Sequence, residues 1–272
     1  MTVQTALLQG SKLLEDAAVI APRLTAEVLL CHALDCERPY LFAHSDRELE
    51  EVEWIHYGRY LHERMQGKPT QYITGRQEFY GREFRVTPAV FIPRPETEGV
   101  VQAALAVGAR RILDVGTGSG ALAVTLALET GTQVFALDIS GDALAVAAEN
   151  ARRLKAPVAF VRGDLLSAVA SRSMDLIVSN PPYVPRTDQV GLQREVRDWE
   201  PELALYGGES GLDVYARLVE DAARVLRPGG WLIMELGFQS RDGVAAMLRG
   251  WREVKIVPDL AGIPRVIAAR LA

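Results

Sequence analysis

The sequence predicts an α/β domain with a parallel sheet, preceded by a small helical bundle. From residue 111 onward, short apolar runs alternate with helical segments, which is typical of a parallel sheet. Residues 2–66 instead space their apolar side chains as helix faces do. A glycine-rich turn follows the first predicted strand, and a double proline ends the fourth. Both lie where open α/β sheets bind ligands.

The composition is that of an ordinary globular protein. The 272 residues are 49% hydrophobic and 24% charged, with a net charge of −5. No apolar run reaches the ~18 residues of a membrane span, and we expect no signal peptide and a cytoplasmic location. Residues 1–95 carry 11 basic and 13 acidic side chains, and the remainder carry 19 and 22. Neither part is basic, so we expect no direct nucleic-acid binding.

The cysteines and histidines show no ligand pattern. Cys31 and Cys36 match no zinc spacing, and none of the four histidines pairs with a cysteine or an acid at ligand spacing. We therefore expect no metal site. Cys31 falls in an apolar stripe with Leu24 and Val28, which predicts a buried structural thiol.

Three helices are expected before residue 67. One begins near Val3, the second opens at Pro22, and the third runs from about residue 46 to residue 66. Two short alternating runs around Gly81 and Arg82 then predict a β-hairpin. We accordingly expect a helical domain over residues 1–75, a hairpin linker and loop over 76–95, and an α/β domain over 96–272.

The α/β domain is expected to contain seven strands. A helix starting at Pro95 precedes them, and the segment after the fourth strand is expected to be a loop to about residue 210. The predicted strands are 112–115, 133–138, 158–161, 175–179, 231–235, 254–257 and 266–269. The predicted helices between them are 121–129, 142–155 and 212–226.

Four residues after the fourth strand suggest a chemical role. Asn180, Pro181, Pro182 and Tyr183 form a stiff corner, because the prolines have no N–H for a strand ladder. The Asn180 side-chain carbonyl can lie beside the Pro181 backbone carbonyl, and two acceptors suit a planar NH2 group. Tyr183 can pack on that plane. We interpret the corner as a clamp for an amide or an exocyclic base amine; the alternative is a plain proline loop.

The glycine turn and two acids predict a nucleoside site. Free N–H groups at the start of the following helix can approach a ligand. Asp138 lies 22 residues after Gly116 at a strand end, where it can accept hydrogen bonds from ribose hydroxyls or merely cap a helix. Asp164 could accept from an adenine amine or end a turn. The turn consists of Gly116, Thr117, Gly118, Ser119 and Gly120.

The glycine pattern alone does not choose the ligand. Gly116, Gly118 and Ala121 also satisfy the dinucleotide fingerprint. The dense glycines after Asp114 instead resemble those of S-adenosylmethionine methyltransferases. The amine clamp favours S-adenosylmethionine, since a hydride transferase has no use for it.

Together, these motifs resemble the PrmC (HemK) family of protein-glutamine N5-methyltransferases over nearly the whole chain. The Pro-Arg-Pro-Glu-Thr-Glu segment is far more specific than the glycine turn. The matching segments are Gln-Tyr-Ile-Thr-Gly at 71–75, Glu-Phe-Tyr-Gly at 78–81, Phe-Ile-Pro-Arg-Pro-Glu-Thr-Glu at 91–98, the turn at 116–120, Asn-Pro-Pro-Tyr at 180–183, Glu-Pro at 200–201 and Gly-Gly at 207–208.

The resemblance implies a substrate, a cofactor and a fold. The substrate would be the glutamine in the Gly-Gly-Gln motif of class I peptide chain release factors, methylated at N5 with S-adenosylmethionine as donor. The fold would be a Rossmann-like sheet of seven strands with the last one antiparallel, as in class I methyltransferases. The helical domain would help to grip the release factor, and we expect a monomer.

The resemblance also implies residue roles. Phe91, Arg94 and Glu96 would close the substrate side, although a loop-fixing ion pair is the alternative for the two charged residues. Leu165 stands where some relatives carry Trp, which leaves the adenine contact beside Asp164 open.

Three other functions remain open at this stage. An amino-methyltransferase acting on adenine N6 or guanine N2 of DNA or RNA would use the same clamp, but usually needs a basic surface. A nicotinamide-dependent oxidoreductase would use the glycine turn. A non-catalytic nucleoside-binding module would not need the clamp.

Overall fold

The structure is a computed structural model that describes all 272 residues, and the chain divides into two compact units. The first comprises Met1–Gly75 and Gln193–Trp199. The second comprises Arg76–Leu192 and Glu200–Ala272, so it includes the hairpin expected as a linker. None of the helices combines the length and apolar character that crossing a membrane requires.

Five helices come first, and nine strands interspersed with seven helices follow. The helices are α1 (Val3–Asp16), α2 (Pro22–Leu34), α3 (Arg38–Ala43), α4 (Glu51–Met65), α5 (Thr70–Thr74), α6 (Glu98–Val107), α7 (Ala121–Thr130), α8 (Gly141–Leu154), α9 (Arg194–Trp199), α10 (Glu202–Leu205), α11 (Asp213–Val225) and α12 (Arg241–Met247). The strands are β1 (Arg76–Phe79), β2 (Arg82–Arg85), β3 (Ile112–Val115), β4 (Val134–Asp138), β5 (Val158–Arg162), β6 (Met174–Ser179), β7 (Leu226–Glu235), β8 (Arg252–Pro258) and β9 (Pro264–Arg270).

The first unit is helical, as expected, but one helix start differs and the short helices α3 and α5 were not predicted. Helix α4 starts at Glu51, five residues later than predicted, because a capping box forms between Glu50 and Glu53. The Glu53 carboxylate accepts the Glu50 backbone N–H at 2.8 Å. Residues 70–74, expected only as a break, form the short helix α5.

Cys31 is buried, as predicted, but the prediction that it shares one apolar stripe with Leu24 was wrong. Leu24 is 46% exposed, and Cys31 instead packs into the core beside Leu29 and Leu30. Burial raises the pKa of the Cys31 thiol to about 12. The thiol is therefore protonated at neutral pH, and its contribution is packing.

Helix α9 belongs to the first unit although it lies far along the chain. The buried Arg64 forms an ion pair with Glu195, and Lys68 lies 5.9 Å from the centre of the Trp199 ring. The pairing compensates the charge of Arg64, which would otherwise be costly to bury. Residues 193–199 thereby complete the helical unit.

The second unit is built on a seven-stranded sheet with the order β5-β4-β3-β6-β7-β9-β8. Strands β3 to β7 pair in parallel, and the last strand, β9, is antiparallel to both of its neighbours. This confirms the expected class I methyltransferase architecture. The strand order reverses between β3 and β6, so the carboxyl ends of these two strands flank the switch point at which such sheets bind ligands.

Helices cover both faces of this sheet, because its central strands are apolar on both sides. Every residue of β3 is buried. Ile112 packs into a core with α6 and α7, whereas Leu113 packs into a second core with α11 and α12. The alternation follows from the strand period of two residues. It fixes the rotation of β3 and hence the direction of the loop that follows it.

The start of β7 and the short helices on either side of it differ from the prediction. Strand β7 starts at Leu226, five residues earlier than predicted, and its pairing with β6 is irregular between Met174 and Leu176. The glycines at 229 and 230 accommodate this irregularity. Helices α9, α10 and α12 were not predicted, because each is shorter than eight residues.

The hairpin of β1 and β2 is attached to the sheet domain by one buried side chain. Asn150 of α8 accepts the Arg85 N–H at 2.8 Å and donates to the Arg85 carbonyl at 2.9 Å. It also donates to the Ser119 carbonyl in the glycine turn at 2.9 Å. Asn150 is fully buried, so these bonds satisfy a side-chain amide that no water reaches.

We expect Asn150→Ala to lower the free energy of unfolding by about 2–4 kcal/mol, because it leaves buried backbone groups of the hairpin and the turn unpaired. Urea unfolding followed by circular dichroism measures the change. Arg152→Ala, on the exposed face of the same helix, is the matched control and should change stability by less than about 0.5 kcal/mol. Equal stability of both variants would show that Asn150 does not hold the hairpin.

Candidate active site

The glycine turn leaves open space beside β3. Gly116, Gly118 and Gly120 have φ of +72°, +54° and +81°, which favours glycine. A Cβ added at Gly116 or Gly118 would meet nothing within 4 Å, whereas one at Gly120 would lie 3.1 Å from the Ala147 Cβ. The first two glycines therefore leave room for a ligand, and the third allows α7 to pack on α8.

Asp114 holds the glycine turn in place through hydrogen bonds to its carboxylate. Its Oδ2 accepts the Thr117 hydroxyl at 2.6 Å and the Ala123 N–H at 3.2 Å. Its Oδ1 is buried and has no hydrogen-bond partner. Complete burial raises the pKa of Asp114 to about 7, although both hydrogen bonds favour the charged form. An acceptor without a protein donor at this depth fits a site completed from outside the chain.

Asp138 ties the turn to the neighbouring strand. Its two carboxylate oxygens accept the backbone N–H groups of Gly118 and Ser140, each at 2.9 Å. The helix cap of α8 is Ser140, which accepts from the Ala143 N–H, so Asp138 is not the cap. Each carboxylate oxygen keeps a lone pair for a further donor. The ribose contact stays a prediction, and the present bonds hold the carboxylate in place for it.

Asp164 has a partner that the sequence did not suggest. Its carboxylate accepts from the Arg217 guanidinium at 2.7 Å, and both side chains are about half exposed. The adjacent Leu165 has a φ of +46°, typical of a turn. The predicted adenine contacts of these two residues stay predictions, and an adenine amine would compete with Arg217 for Asp164.

The proline corner follows β6 directly. The Ser179 hydroxyl donates to the Val115 carbonyl at 2.7 Å, which fixes the end of β6 against β3. A Cβ at Gly207 would lie 2.5 Å from the Pro182 carbonyl oxygen, and one at Gly237 would lie 2.7 Å from the Tyr183 ring. Only glycine allows these two approaches, so the corner is held tightly from both sides.

The Asn180 side chain is oriented by Thr97. Its Nδ2 donates to the Thr97 hydroxyl at 3.2 Å, and that hydroxyl donates to Glu235 Oε2 at 2.5 Å. The Asn180 Oδ1 is therefore the atom left to face a substrate. This arrangement supports the predicted clamp, in which Oδ1 and the Pro181 carbonyl receive an NH2 group.

Glu235, at the end of β7, is a buried acid that sequence reasoning missed. It is 2% exposed, and burial raises its pKa to about 7, while the Thr97 hydrogen bond and the nearby Arg265 lower it. Tyr183 donates to Glu235 Oε1 at 3.3 Å. Burial likewise raises the pKa of Tyr183. The available signal was an acid ending an apolar strand, at the same sheet edge as the corner.

The expected substrate-side loop contains an ion pair, but with an unexpected partner. Arg94 pairs with the buried Glu200, which also accepts the Ile92 N–H at 3.2 Å. The Arg94 guanidinium lies 4.7 Å from the centre of the Phe91 ring. Glu96 is exposed. Arg94 thus fixes its own loop through Glu200, and contacts of Phe91, Arg94 and Glu96 with a substrate stay predictions.

The sheet brings the two predicted sites together. Strands β3 and β6 are adjacent, with Val115 opposite Ser179, so the glycine turn and the proline corner leave neighbouring strand ends. Asp138 ends the next strand, β4. Asp164 and Leu165 follow β5 at the far edge. The open space at the glycine turn thus lies beside the corner that is predicted to clamp a planar amide or amine.

We expect the free energy of unfolding to fall as pH rises, because of the raised pKa of Asp114. Its pKa in the folded chain, about 7, lies above the ordinary value of 3.8, so the folded chain holds a proton that the unfolded chain releases in between. Protonated Asp114 makes its full contribution to the free energy of unfolding below pH 4. This contribution is lost as pH rises through about 7, at no more than ~1.4 kcal/mol per pH unit.

Asp114→Asn should remove this contribution. Urea unfolding at several pH values would show the wild type losing stability relative to the variant between pH 4 and 7.5. The exposed Asp46→Asn is the control and should follow the wild type. Parallel curves for wild type and Asp114→Asn would contradict the raised pKa.

Two family models match the chain. Residues 5–75 match the PrmC N-terminal domain, and residues 98–195 match the methyltransferase small domain. Solved structures share the fold at low identity. A methyltransferase from Pyrococcus furiosus is 20% identical with a TM-score of 0.55, covering 71% of this chain and 90% of that one. The hMettl16 catalytic domain, in complex with an RNA hairpin, is 17% identical with a TM-score of 0.60, covering 78% and 82%.

Curated relatives match over nearly the full length. The release factor glutamine methyltransferase of Koribacter versatilis is 49% identical, covering 99% of both chains. The enzyme of the same name from Nitratidesulfovibrio vulgaris is 44% identical, covering 99% of this chain and 95% of its own. These identities confirm the resemblance inferred from the motifs, and the chain belongs to the PrmC family of release factor glutamine methyltransferases.

Proposed function

We propose that this chain transfers a methyl group from S-adenosylmethionine to the side-chain amide nitrogen of the glutamine in the Gly-Gly-Gln motif of class I peptide chain release factors. The observation that carries the proposal is the orientation of Asn180, whose Nδ2 is engaged by Thr97. Its Oδ1 and the Pro181 carbonyl then offer two acceptors to the two hydrogens of a primary amide.

The residues around the glycine turn fit the methyl donor. Gly116 and Gly118 leave open space, Asp114 Oδ1 lacks a donor, and Asp138 is held at a strand end. We propose that the turn and Asp138 hold S-adenosylmethionine, with Asp164 and Leu165 beside the adenine. When bound, this cofactor supplies a methyl group activated by a positively charged sulfur.

The chain's own contribution is positioning. An amide nitrogen is a poor nucleophile, because its lone pair is delocalised into the carbonyl. Asn180 and the Pro181 carbonyl would hold both N–H groups, increase electron density on nitrogen and aim it at the methyl carbon. Such placement can supply roughly 7–11 kcal/mol of a barrier. Glu235 is buried and bonded to Thr97 and Tyr183, so we assign it no role as a base. The nitrogen would keep one of its two protons and release the other to water.

The remaining roles concern the partner. We propose that the helical unit helps to grip the release factor, that the loop with Phe91, Arg94 and Glu96 closes the substrate side, and that the protein acts as a monomer in the cytoplasm without binding nucleic acid. The net charge of −5 supports the last point, since a nucleic-acid amino-methyltransferase needs cationic contacts.

The test is methyl transfer to a purified class I release factor with labelled S-adenosylmethionine, with the site mapped by mass spectrometry. We expect one methyl group on the Gly-Gly-Gln glutamine, and Asn180→Ala should lower the rate by about 10²–10³-fold, as removal of an oriented polar contact does. Gln189→Ala, at an exposed position in the short 3-10 helix of residues 186–191, is the control. Transfer to RNA or DNA with none to the release factor would overturn the proposal.

A second prediction addresses the cofactor. Asp138→Ala should raise the Kd for S-adenosylmethionine at least tenfold, because two hydrogen bonds to ribose are lost together with those to the Gly118 and Ser140 N–H groups. Calorimetric titration measures it, and the release factor KM should change little. The exposed Asp142→Ala is the control. An unchanged Kd would contradict the ribose assignment.

A further inference from the structure

We propose that Thr97 and Glu235 are positioning residues that select which face of the Asn180 amide meets the substrate. This inference rests on the proposed function, because it concerns the same transfer. Thr97 immediately precedes α6, Asn180 follows β6, and Glu235 ends β7, so three separate parts of the chain meet in one hydrogen-bonded series.

The direction of the hydrogen-bonded series follows from counting protons. A threonine hydroxyl has a single proton and can donate only once. When Glu235 is ionised, it has no proton to give, and the Thr97 proton goes to Glu235 Oε2 at 2.5 Å. The same oxygen can then only accept from Asn180, at 3.2 Å. The Asn180 atom facing Thr97 must therefore be the NH2 nitrogen, and Oδ1 must face away.

This selection matters because the two ends of an asparagine amide have nearly the same shape. A flipped Asn180 would present its NH2 group to the NH2 group of the substrate, and two donors cannot bond to each other. The flip would also place Oδ1 against the Thr97 oxygen, whose proton is already committed to Glu235. The hydrogen-bonded series thus favours the one orientation that can bind the substrate amide.

Burial keeps the hydrogen-bonded series in place. Thr97 is 4% exposed and Glu235 is 2% exposed. Tyr183 donates to the second carboxylate oxygen of Glu235 at 3.3 Å, and Tyr215 donates to its backbone carbonyl at 2.7 Å. A buried acceptor with its donors in fixed positions does not need to reorganise when the substrate binds.

Helix capping does not explain the Thr97 hydroxyl. Thr97 precedes α6, but its side chain makes no capping hydrogen bond there. The hydroxyl instead donates a hydrogen bond to Glu235 and accepts one from Asn180. The separation of 138 residues between Thr97 and Glu235 also excludes a local turn contact.

The first experiment compares two substitutions of one side chain. Thr97→Val replaces the hydroxyl by a methyl group of similar size and should lower kcat for release factor methylation on the order of tenfold or more. Thr97→Ser keeps the hydroxyl and should stay within about threefold of the wild type. The Kd for S-adenosylmethionine should be unchanged in both. The control is Thr125→Val, a buried threonine of α7 whose hydroxyl has no partner.

A double-mutant cycle separates positioning from a merely structural role. If Thr97 acts through Asn180, Thr97→Val should change the rate by less than about twofold in an Asn180→Ala background. Equal effects in both backgrounds would overturn the inference. So would a kcat of Thr97→Val equal to that of the wild type.

Glu235→Met provides a second variant that does not depend on the folding of Thr97→Val. Met has a volume close to that of Glu and removes a carboxylate that is costly to bury, which offsets part of the cost of leaving the Thr97 and Tyr183 hydroxyls without an acceptor. The variant frees the Thr97 proton to meet Asn180 Oδ1, so kcat should again fall on the order of tenfold. An unchanged kcat would overturn the inference, whereas a wild type that methylates no release factor would instead overturn the proposed function.

Discussion

The parallel pairing of β3 and β6 is the constraint on which the site depends. Val115 lies opposite Ser179, and the Ser179 hydroxyl binds the Val115 carbonyl. Because the order of strands reverses here, the loops that follow the two strands diverge and leave a crevice between them. One loop can surround a nucleoside while the other holds an amide at a short distance. Without this register, the turn and the corner would not be neighbours.

Two acids buried at strand ends illustrate the cost of such a site. Asp114 and Glu235 are both removed from water, and neither has a close cationic partner of its own. A core built for stability alone would hold apolar residues at these positions. Each acid instead binds a residue of a loop. Asp114 accepts a hydrogen bond from Thr117, and Glu235 accepts one from Thr97. The site therefore lowers the free energy of unfolding, and in return its two loops are held in fixed positions.

Much of this was predictable from the sequence, because it depends on local patterns. Strand periodicity placed all seven strands, and the prolines after Asn180 placed the corner. Contacts between distant residues were not predictable. Thr97 stood in a recognised segment without a role, because its partners lie 83 and 138 residues away. A loop-fixing ion pair was the alternative role for Arg94, but its partner Glu200 became apparent only in three dimensions. Boundaries such as the start of β7 depend on irregular pairing that composition does not encode.

The segment Gln193–Trp199 makes the helical unit discontinuous in sequence. The chain consequently passes between the two units three times, after residues 75, 192 and 199. A gene truncated before Arg76 would still encode α9, now without Arg64 to neutralise Glu195 and without Lys68 beside the Trp199 ring. The boundary at residue 75 is therefore a poor place to cut this protein. The helical unit is therefore not a segment that can be separated from this chain by a single cut.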